Sequence, residues 1–198
     1  MRGVLSSLYY NFPSGRAVMF LIPPLYWFRR DAAREIIREV LRLRPKTLLE
    51  VGFSDAFLTR RLSLALPDSR ITAIDTSAMS VRRAKRLALP NVRFLAEDFF
   101  KHEGRYDLVV SMHVFVLFDH AAALRKLSEM GRMHILTLTG RSPFTMLHRP
   151  FHRFMTGMDV NLVEPEEYRT LAEELGFSVD IRRINPIERS YMVILTSD

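Results

Sequence analysis

Two acidic side chains that can bind the hydroxyl or amino groups of a ligand each end a short apolar stretch of this 198-residue chain. Glu50 begins the loop Glu50-Val-Gly52-Phe-Ser54, whose small residues let the backbone approach a ligand before a helix begins. Asp75 ends the stretch Ile-Thr-Ala-Ile-Asp, 25 residues after Glu50, and is followed by Thr76. An acid at this spacing accepts hydrogen bonds from both hydroxyls of a ribose. The two positions therefore predict a site for a nucleoside-containing cofactor.

Two further apolar stretches are followed by residues able to contact the same ligand. The residues that follow the first of these stretches are Glu97, Asp98 and Phe99, and those that follow the second are Ser111, Met112 and His113. In an open sheet of parallel strands, ligands bind outside the carboxyl ends of the strands, near the point where the strand order reverses. All four clusters are thus expected at one edge of one sheet.

The hydrophobic pattern places these clusters by alternating strands with helices. Helices are predicted at 30–43, 57–66, 77–87, 121–130 and 166–175, and strands at 47–51, 70–74, 92–96, 107–112, 133–138, 177–184 and 191–196. Near-continuous apolar strands indicate a parallel sheet that is covered on both faces. The connection 185–190 is too short for a crossover helix, so the last two strands are antiparallel. The predicted fold is α/β: a doubly wound, mostly parallel seven-stranded sheet with an antiparallel last strand and helices on both faces.

In the order and spacing of these elements, residues 30–198 resemble the class I (Rossmann-like) S-adenosylmethionine-dependent methyltransferases. The first loop of that family reads acid-x-Gly-x-Gly-x-Gly. Glu50 and Gly52 match it, whereas Ser54 and Ala56 stand where the later glycines are found. The resemblance implies a methyltransferase with S-adenosyl-L-methionine as its cofactor.

The resemblance also assigns roles to residues of all four clusters. It implies Glu50 at the cofactor's ammonium, Gly52 under its methionine part, Asp75 at the ribose, Asp98 and Phe99 at the adenine, and Ser111 and Met112 along its side. Ser54 and Thr76 are also expected to bind the cofactor. Taken singly, Glu50 or Asp75 has the simpler interpretation of a helix cap. A dinucleotide site is disfavoured because no glycine lies between Gly52 and Gly104 to cradle a pyrophosphate.

Two segments fall outside the core pattern of what we predict to be a single domain, residues 1–198. They are an apolar and basic N-terminal cap, residues 1–29, and a loop-like lid insertion, residues 140–164. Both are rich in aromatic residues and arginine, and the lid also in methionine, which suits an adaptable apolar ligand with a charged head. The sequence therefore predicts a small hydrophobic or amphiphilic acceptor, such as a phospholipid amine or a quinone-type lipid at the membrane surface. The alternative, that these residues only cover the core, stays open.

Three side chains are candidates for catalysis. His113 follows the fourth strand and His148 lies in the lid, where either imidazole can take a proton from an amine or hydroxyl acceptor. By the family resemblance, an N-terminal tyrosine is expected to close over the cofactor; Tyr9 and Tyr10 both match by position, and Tyr9 is the third candidate. No metal site is expected, because Pro150 separates His148 from His152 and no carboxylate completes the set.

Charge and composition limit the partners. The chain has 29 Lys and Arg against 22 acids, a net charge of +7 and a pI near 10.1, which favours anionic surfaces. An RNA methyltransferase is therefore the first alternative. Because the basic residues are spread over helices, however, we expect peripheral binding to an anionic membrane more than binding to nucleic acid. The second alternative is a non-catalytic methyltransferase-like protein that does not bind the cofactor. It is suggested by the first loop, which lacks two of the family's glycines and carries the negative charge of Asp55.

The absence of cysteine excludes disulfides, thiolate zinc sites and a cysteine nucleophile. A cytoplasmic protein is the resulting expectation. The longest apolar run, residues 19–28, is interrupted by Pro23 and Pro24 and is shorter than the roughly 20 residues that a membrane-spanning helix needs.

Overall fold

The computed structural model describes residues 23–156 and 159–197. Its elements, in chain order, are α1 (Pro23–Leu43), β1 (Thr47–Val51), α2 (Phe57–Ala65), β2 (Arg70–Asp75), α3 (Ala78–Lys85), β3 (Val92–Ala96), β4 (Leu108–Ser111), α4 (His120–Met130), β5 (Met133–Thr139), α5 (Pro143–Thr156), α6 (Pro165–Glu174), β6 (Phe177–Asn185) and β7 (Ser190–Ser197). A short 3₁₀ helix, Phe115–Leu117, precedes α4.

All seven strands form one sheet in the order β3-β2-β1-β4-β5-β7-β6. Strands β1 to β5 are parallel, and β7 runs antiparallel to both of its neighbours. The predicted fold class is thereby confirmed. Because the chain builds outward from β1 in one direction and then returns to add β4 on its other side, the carboxyl ends of β1 and β4 flank the switch point where such sheets bind ligands.

Helices cover the sheet on both faces, and each face has its own core. On one face, Ile36 and Val40 of α1 and Leu62 of α2 pack against the sheet. On the other, Leu124 of α4 and Tyr168 of α6 are fully buried against it. The near-continuous apolar strands are explained by this double coverage, since both faces of each central strand must be apolar.

The two segments expected outside the core differ from their predictions. Helix α1 begins at Pro23 rather than Arg30, because proline is compatible with the first turn of a helix. The stretch predicted to be loop-like contains α5, whose internal Pro150 removes a backbone donor and disguises the helical pattern. The catalytic candidate Tyr9 and the side chain of His148 lie outside the described residues.

Within the described ranges, no helix combines the length and the apolar character needed to cross a bilayer.

Candidate functional site

The loop between β1 and α2 adopts the backbone conformation of a glycine-rich loop although it contains only one glycine. Gly52, Ser54 and Ala56 have φ angles of 75°, 52° and 60°, all in the left-handed region. That region costs a residue with a side chain roughly 1 kcal/mol relative to glycine. Ser54 and Ala56 therefore hold, at a cost in stability, left-handed backbone conformations that glycine adopts freely.

Gly52 is the position of this loop where a side chain is excluded. A Cβ atom built there would lie 2.4 Å from Cγ2 of Val114, which follows β4. The amide of Gly52 also donates to the carbonyl of Ile74 at 2.8 Å. The absence of a side chain lets the loops after β1 and β4 meet at the switch point.

Glu50 is a buried carboxyl group at the carboxyl end of β1. Its side chain is 2% exposed, and its Oε2 atom has no hydrogen-bond partner within the described ranges. Burial raises the pKa of Glu50 to about 8, opposed by the Thr59 hydroxyl and the Arg29 guanidinium. At neutral pH the group is therefore mostly protonated, and a cation placed beside it would favour its ionised form.

Asp75 connects the first loop to the start of α3. Its Oδ2 atom accepts from the amide of Ser54 at 2.8 Å, and its Oδ1 atom accepts from the amide of Ser77 at 2.9 Å. The cap of α3 is Ser77, whose hydroxyl accepts from the amide of Ser80, so Asp75 is not a helix cap. Burial raises the pKa of Asp75, and the two amides oppose this rise. Each carboxylate oxygen has a further lone pair available to a ligand hydroxyl, and Thr76 beside it is exposed.

The negative charge of Asp55 in the first loop is matched by a cation from α1. The Arg29 guanidinium binds both carboxylate oxygens of Asp55, with Nη1 at 3.0 Å from Oδ2. The guanidinium carbon of Arg29 also lies 4.3 Å from the ring centroid of Phe57, and that of Arg61 lies 3.6 Å from it. The loop therefore presents no uncompensated charge at Asp55.

The predicted adenine residues lie after β3. Asp98 is exposed, and its Oδ1 atom accepts from the amide of Phe100 at 2.9 Å. The ring of Phe99 is 3% exposed and stacks on Phe118 with 5.4 Å between centroids. The structure thus leaves the Asp98 carboxylate facing outward and places the Phe99 ring in the core.

The residues that end β4 are mostly buried. The Ser111 hydroxyl donates to the carbonyl of Val51 at 3.0 Å and joins the ends of β4 and β1. Met112 is partly buried and packs against the core beneath α1. Of these two side chains, only Met112 keeps some exposed surface.

His113 is held at the carboxyl edge in a left-handed conformation, with a φ of 59°. Its amide donates to Oγ1 of Thr137 on β5 at 2.7 Å. Burial lowers the pKa of His113, the nearby Glu188 carboxylate opposes this, and Arg29 adds to it. The imidazole is therefore neutral at neutral pH, which is the state that can accept a proton.

The arginines of the lid insertion are paired with acids of the chain itself. Arg149 and Arg153 of α5 both bind the carboxylate of Asp159, at 2.9 and 3.4 Å, and Arg141 lies 3.3 Å from Glu167. A charged head group of the acceptor that binds these arginines would therefore have to compete with the acids that already pair with them.

Sequence reasoning missed three residues that the structure brings to this edge: Arg29, Glu188 and Ser190. Arg29 was assigned to a cap outside the core, Glu188 lies in the turn between β6 and β7, and Ser190 is the first residue of β7. The helical spacing of Arg29 from Ala33 and Ile36 was the available signal for the first. The other two depend on the pairing of β5 with β7, for which local sequence has no signal.

Comparison with known proteins agrees with this geometry. Residues 48–134 match a family model described as a methyltransferase domain. A malonyl-[acyl-carrier protein] O-methyltransferase of Anoxybacillus flavithermus is 30% identical over 115 residues, 54% of this chain and 44% of the relative. A trans-aconitate 2-methyltransferase of Deinococcus radiodurans is 26% identical over 195 residues, 87% of this chain and 74% of the relative. The chain spans less than half the length of the first relative.

Solved structures share the fold. The magnesium protoporphyrin IX methyltransferase of Synechocystis PCC 6803 with bound SAH superposes with a TM-score of 0.79 at 15% identity, covering 100% of this chain and 99% of that one. Human N-acetylserotonin methyltransferase in complex with SAM gives 0.71 at 14% identity, covering 98% and 59%. At these identities the likeness concerns the fold. Residues 48–134 thus match a methyltransferase domain, and the chain as a whole has the fold of the class I, Rossmann-like S-adenosylmethionine-dependent methyltransferases.

Proposed function

We propose that the chain transfers a methyl group from S-adenosylmethionine to nitrogen or oxygen of a small hydrophobic or amphiphilic acceptor. The residues present fit this cofactor. Glu50 offers a buried carboxyl oxygen without a partner among the described residues, which suits an ammonium group. Asp75 offers the remaining lone pairs of two carboxylate oxygens, which suit the ribose hydroxyls.

When bound, the cofactor supplies a methyl group on a sulfonium, which is already activated for displacement. The protein's task is therefore to align the acceptor and exclude water. In this proposal Asp98 contacts the adenine with its side chain and Phe99 with its backbone, since the Phe99 ring is buried. His113 holds a neutral imidazole beside the switch point and takes the proton that the acceptor releases.

The observation that carries the acceptor class is the exposed apolar surface of α1 and α5. Trp27 is 58% exposed, Met146 52% and Leu147 80%. The two helices meet where the rings of Phe28 and Phe144 pack edge to face, with centroids 5.4 Å apart. Large apolar side chains left in water beside a binding edge favour an apolar ligand or surface.

The same surface supports a role at a membrane. Helix α5 presents Met146 and Leu147 together with Arg149 and Arg153, the composition of helices that lie in the membrane interface. We propose that α5 rests on an anionic bilayer while the enzyme receives a lipid-like acceptor. The curated relatives are named for malonyl and aconitate acceptors and lend this step no support.

Vesicle sedimentation tests the membrane step. Leu147→Glu should reduce pelleting with phosphatidylglycerol vesicles about tenfold or more, because it places a charge where an apolar side chain would be inserted. Leu64→Glu is the matched control, because Leu64 is 81% exposed on α2. Equal loss in both variants, or none in either, would exclude the α5 surface as the contact.

Cofactor binding and label transfer test the activity. S-adenosylhomocysteine should bind in calorimetry, and tritium from methyl-labelled cofactor should enter an acceptor from a panel of apolar amines and phenols. Failure to bind S-adenosylhomocysteine would instead support the non-catalytic alternative. Transfer to RNA alone would support the RNA methyltransferase.

A further inference from the structure

The turn between β6 and β7 and the first residue of β7 bring two buried polar atoms to the carboxyl edge of the sheet. Oε2 of Glu188 and Oγ of Ser190 have no hydrogen-bond partner in the part of the chain that the structure describes. The Ser190 side chain is fully buried. Because buried polar atoms in folded proteins are nearly always hydrogen bonded, two such atoms two residues apart indicate a place for a ligand.

Sheet pairing places these atoms beside His113. Ser190 is paired with Thr139 at the end of β5, and Glu188 lies two residues before it. His113 follows β4 on the other side of β5 and is bonded to Thr137. Since neighbouring strands are about 4.8 Å apart, the backbones on the two sides of β5 are about 10 Å apart. His113 and Ser190 therefore flank the carboxyl end of β5 from opposite sides.

The cluster opens toward the face that α1 covers. Ile135 of β5 and Met192 of β7 belong to the core beneath α1. Side chains alternate along a strand, so Thr137 and Ser190, each two residues away from these, lie on the same face. An acceptor held there therefore lies on the side of the sheet where Arg29 of α1 meets the first loop.

The turn that carries Glu188 is fixed in place. The carbonyl of Arg189 accepts from the amide of Gly140 at 2.9 Å, and the Arg189 guanidinium binds Glu164 at 2.8 Å. Oδ1 of Asn185 accepts from the amide of Glu188 at 3.2 Å. A carboxylate on such a braced turn is held ready for a ligand at little cost in ordering.

The charges at this edge favour a donor over an anion. Two guanidiniums of this edge are engaged, Arg29 with Asp55 and Arg189 with Glu164. Glu188 contributes a negative charge and Ser190 a hydroxyl. A carboxylate acceptor brought here would face like charge, whereas an ammonium or hydroxyl would satisfy the unpartnered oxygens.

We propose that Glu188 and Ser190, with His113, form an acceptor site for an amine or hydroxyl group, and that this site disfavours carboxylates. The inference rests on the proposed methyl transfer and defines its acceptor. It separates this chain from the relatives named for malonyl and aconitate acceptors, both of which are carboxylates at neutral pH.

The chemistry balances at these residues. A bound ammonium first passes a proton to the neutral His113 imidazole, and a hydroxyl passes its proton there as it reacts. The acceptor lone pair forms the bond to the methyl carbon while the carbon–sulfur bond breaks and its electron pair stays on sulfur. His113 then returns the proton to water.

The experiment compares three probes that share one ring: benzylamine, benzyl alcohol and benzoate. Each is titrated by NMR into the full chain saturated with S-adenosylhomocysteine, whose own affinity is measured first by calorimetry. We expect benzylamine to bind most tightly and benzoate least. Glu188→Gln should weaken benzylamine binding about tenfold or more, as expected for loss of a charged hydrogen-bond partner. Glu174→Gln, which removes the same charge from an exposed position of α6, should leave it unchanged.

A second readout follows His113. Glu188→Gln should lower its pKa further, because the carboxylate favours the imidazolium. No benzylamine binding, a preference for benzoate, or equal affinities in the Glu188 and Glu174 variants would overturn the inference. If S-adenosylhomocysteine binds in any of these cases, the proposed cofactor role stands. If it does not bind, the proposed function fails first.

Discussion

Replacing Glu50 with glutamine should make the ligand-free protein more stable and its cofactor binding weaker. The carboxyl group is buried with one oxygen unpartnered in the described chain, and its pKa is raised from 4.5 to about 8. Between these values the folded state holds a proton that the unfolded state has lost. Stability therefore falls as pH rises through this window, by about 1.4 kcal/mol per pH unit. Glutamine has a similar shape and no charge to bury.

The size of the effect follows from the same shift. The gap in unfolding free energy between Glu50→Gln and the unaltered chain should be near zero at pH 4, roughly 3 kcal/mol at pH 7, and constant at about 5 kcal/mol above about pH 9. Denaturant unfolding across this range measures it, with Glu174→Gln as the background for losing one charge. A gap that does not change with pH would refute the buried, protonated Glu50.

Cofactor binding supplies the complementary measurement. An ammonium placed beside Glu50 favours its ionised form, so binding of S-adenosylhomocysteine at pH 7 should release about 0.9 proton, the fraction of Glu50 protonated beforehand. Calorimetry in buffers with different ionisation enthalpies counts this proton. Glu50→Gln should abolish the release and weaken binding about tenfold or more. Unchanged affinity in this variant would remove Glu50 from the ammonium site.

Three further substitutions test the loop around this site. Asp75→Ala should weaken S-adenosylhomocysteine binding at least about tenfold and lower the melting temperature, since two amides lose their acceptor. Ser77→Ala, which removes the cap of α3, should cost about 1 kcal/mol of stability with no change in affinity. Weaker binding in Ser77→Ala and unchanged binding in Asp75→Ala would contradict the ribose placement. Arg29→Ala should weaken S-adenosylhomocysteine binding, because it leaves the Asp55 carboxylate without its cation. The double variant Arg29→Ala with Asp55→Ala should restore the affinity. Calorimetry that finds no restoration would exclude compensation of the Asp55 charge as the role of Arg29. Ser54→Gly should leave stability unchanged or raise it by up to about 1 kcal/mol, because glycine adopts a φ of 52° without cost. Ser54→Val should lower stability by more than about 1 kcal/mol in thermal unfolding. Equal stabilities of the two variants would show the loop to be unstrained.

Local patterns were sufficient for the parts of the fold that repeat along the chain. Strand ends at Glu50 and Asp75 were predicted because buried parallel strands are short apolar runs that stop where the chain leaves the core. The antiparallel ending followed from a connection too short for a helix. Helix α5 was missed because Pro150 breaks the periodic signal on which such predictions depend, although one missing backbone hydrogen bond does not prevent the helix.

The sequence by itself determined the order of strands and helices, and therefore which acids and small residues reach the carboxyl edge. Tertiary structure alone decided which side chains meet there. Arg29 binds Asp55 across 26 residues, and Glu188 reaches the vicinity of His113 through the pairing of β7 with β5. Periodicity encodes which face of an element is buried, a property of neighbouring residues. Ion pairs and pKa shifts depend on how distant elements dock, because charge interactions act across space and burial is set by the whole fold.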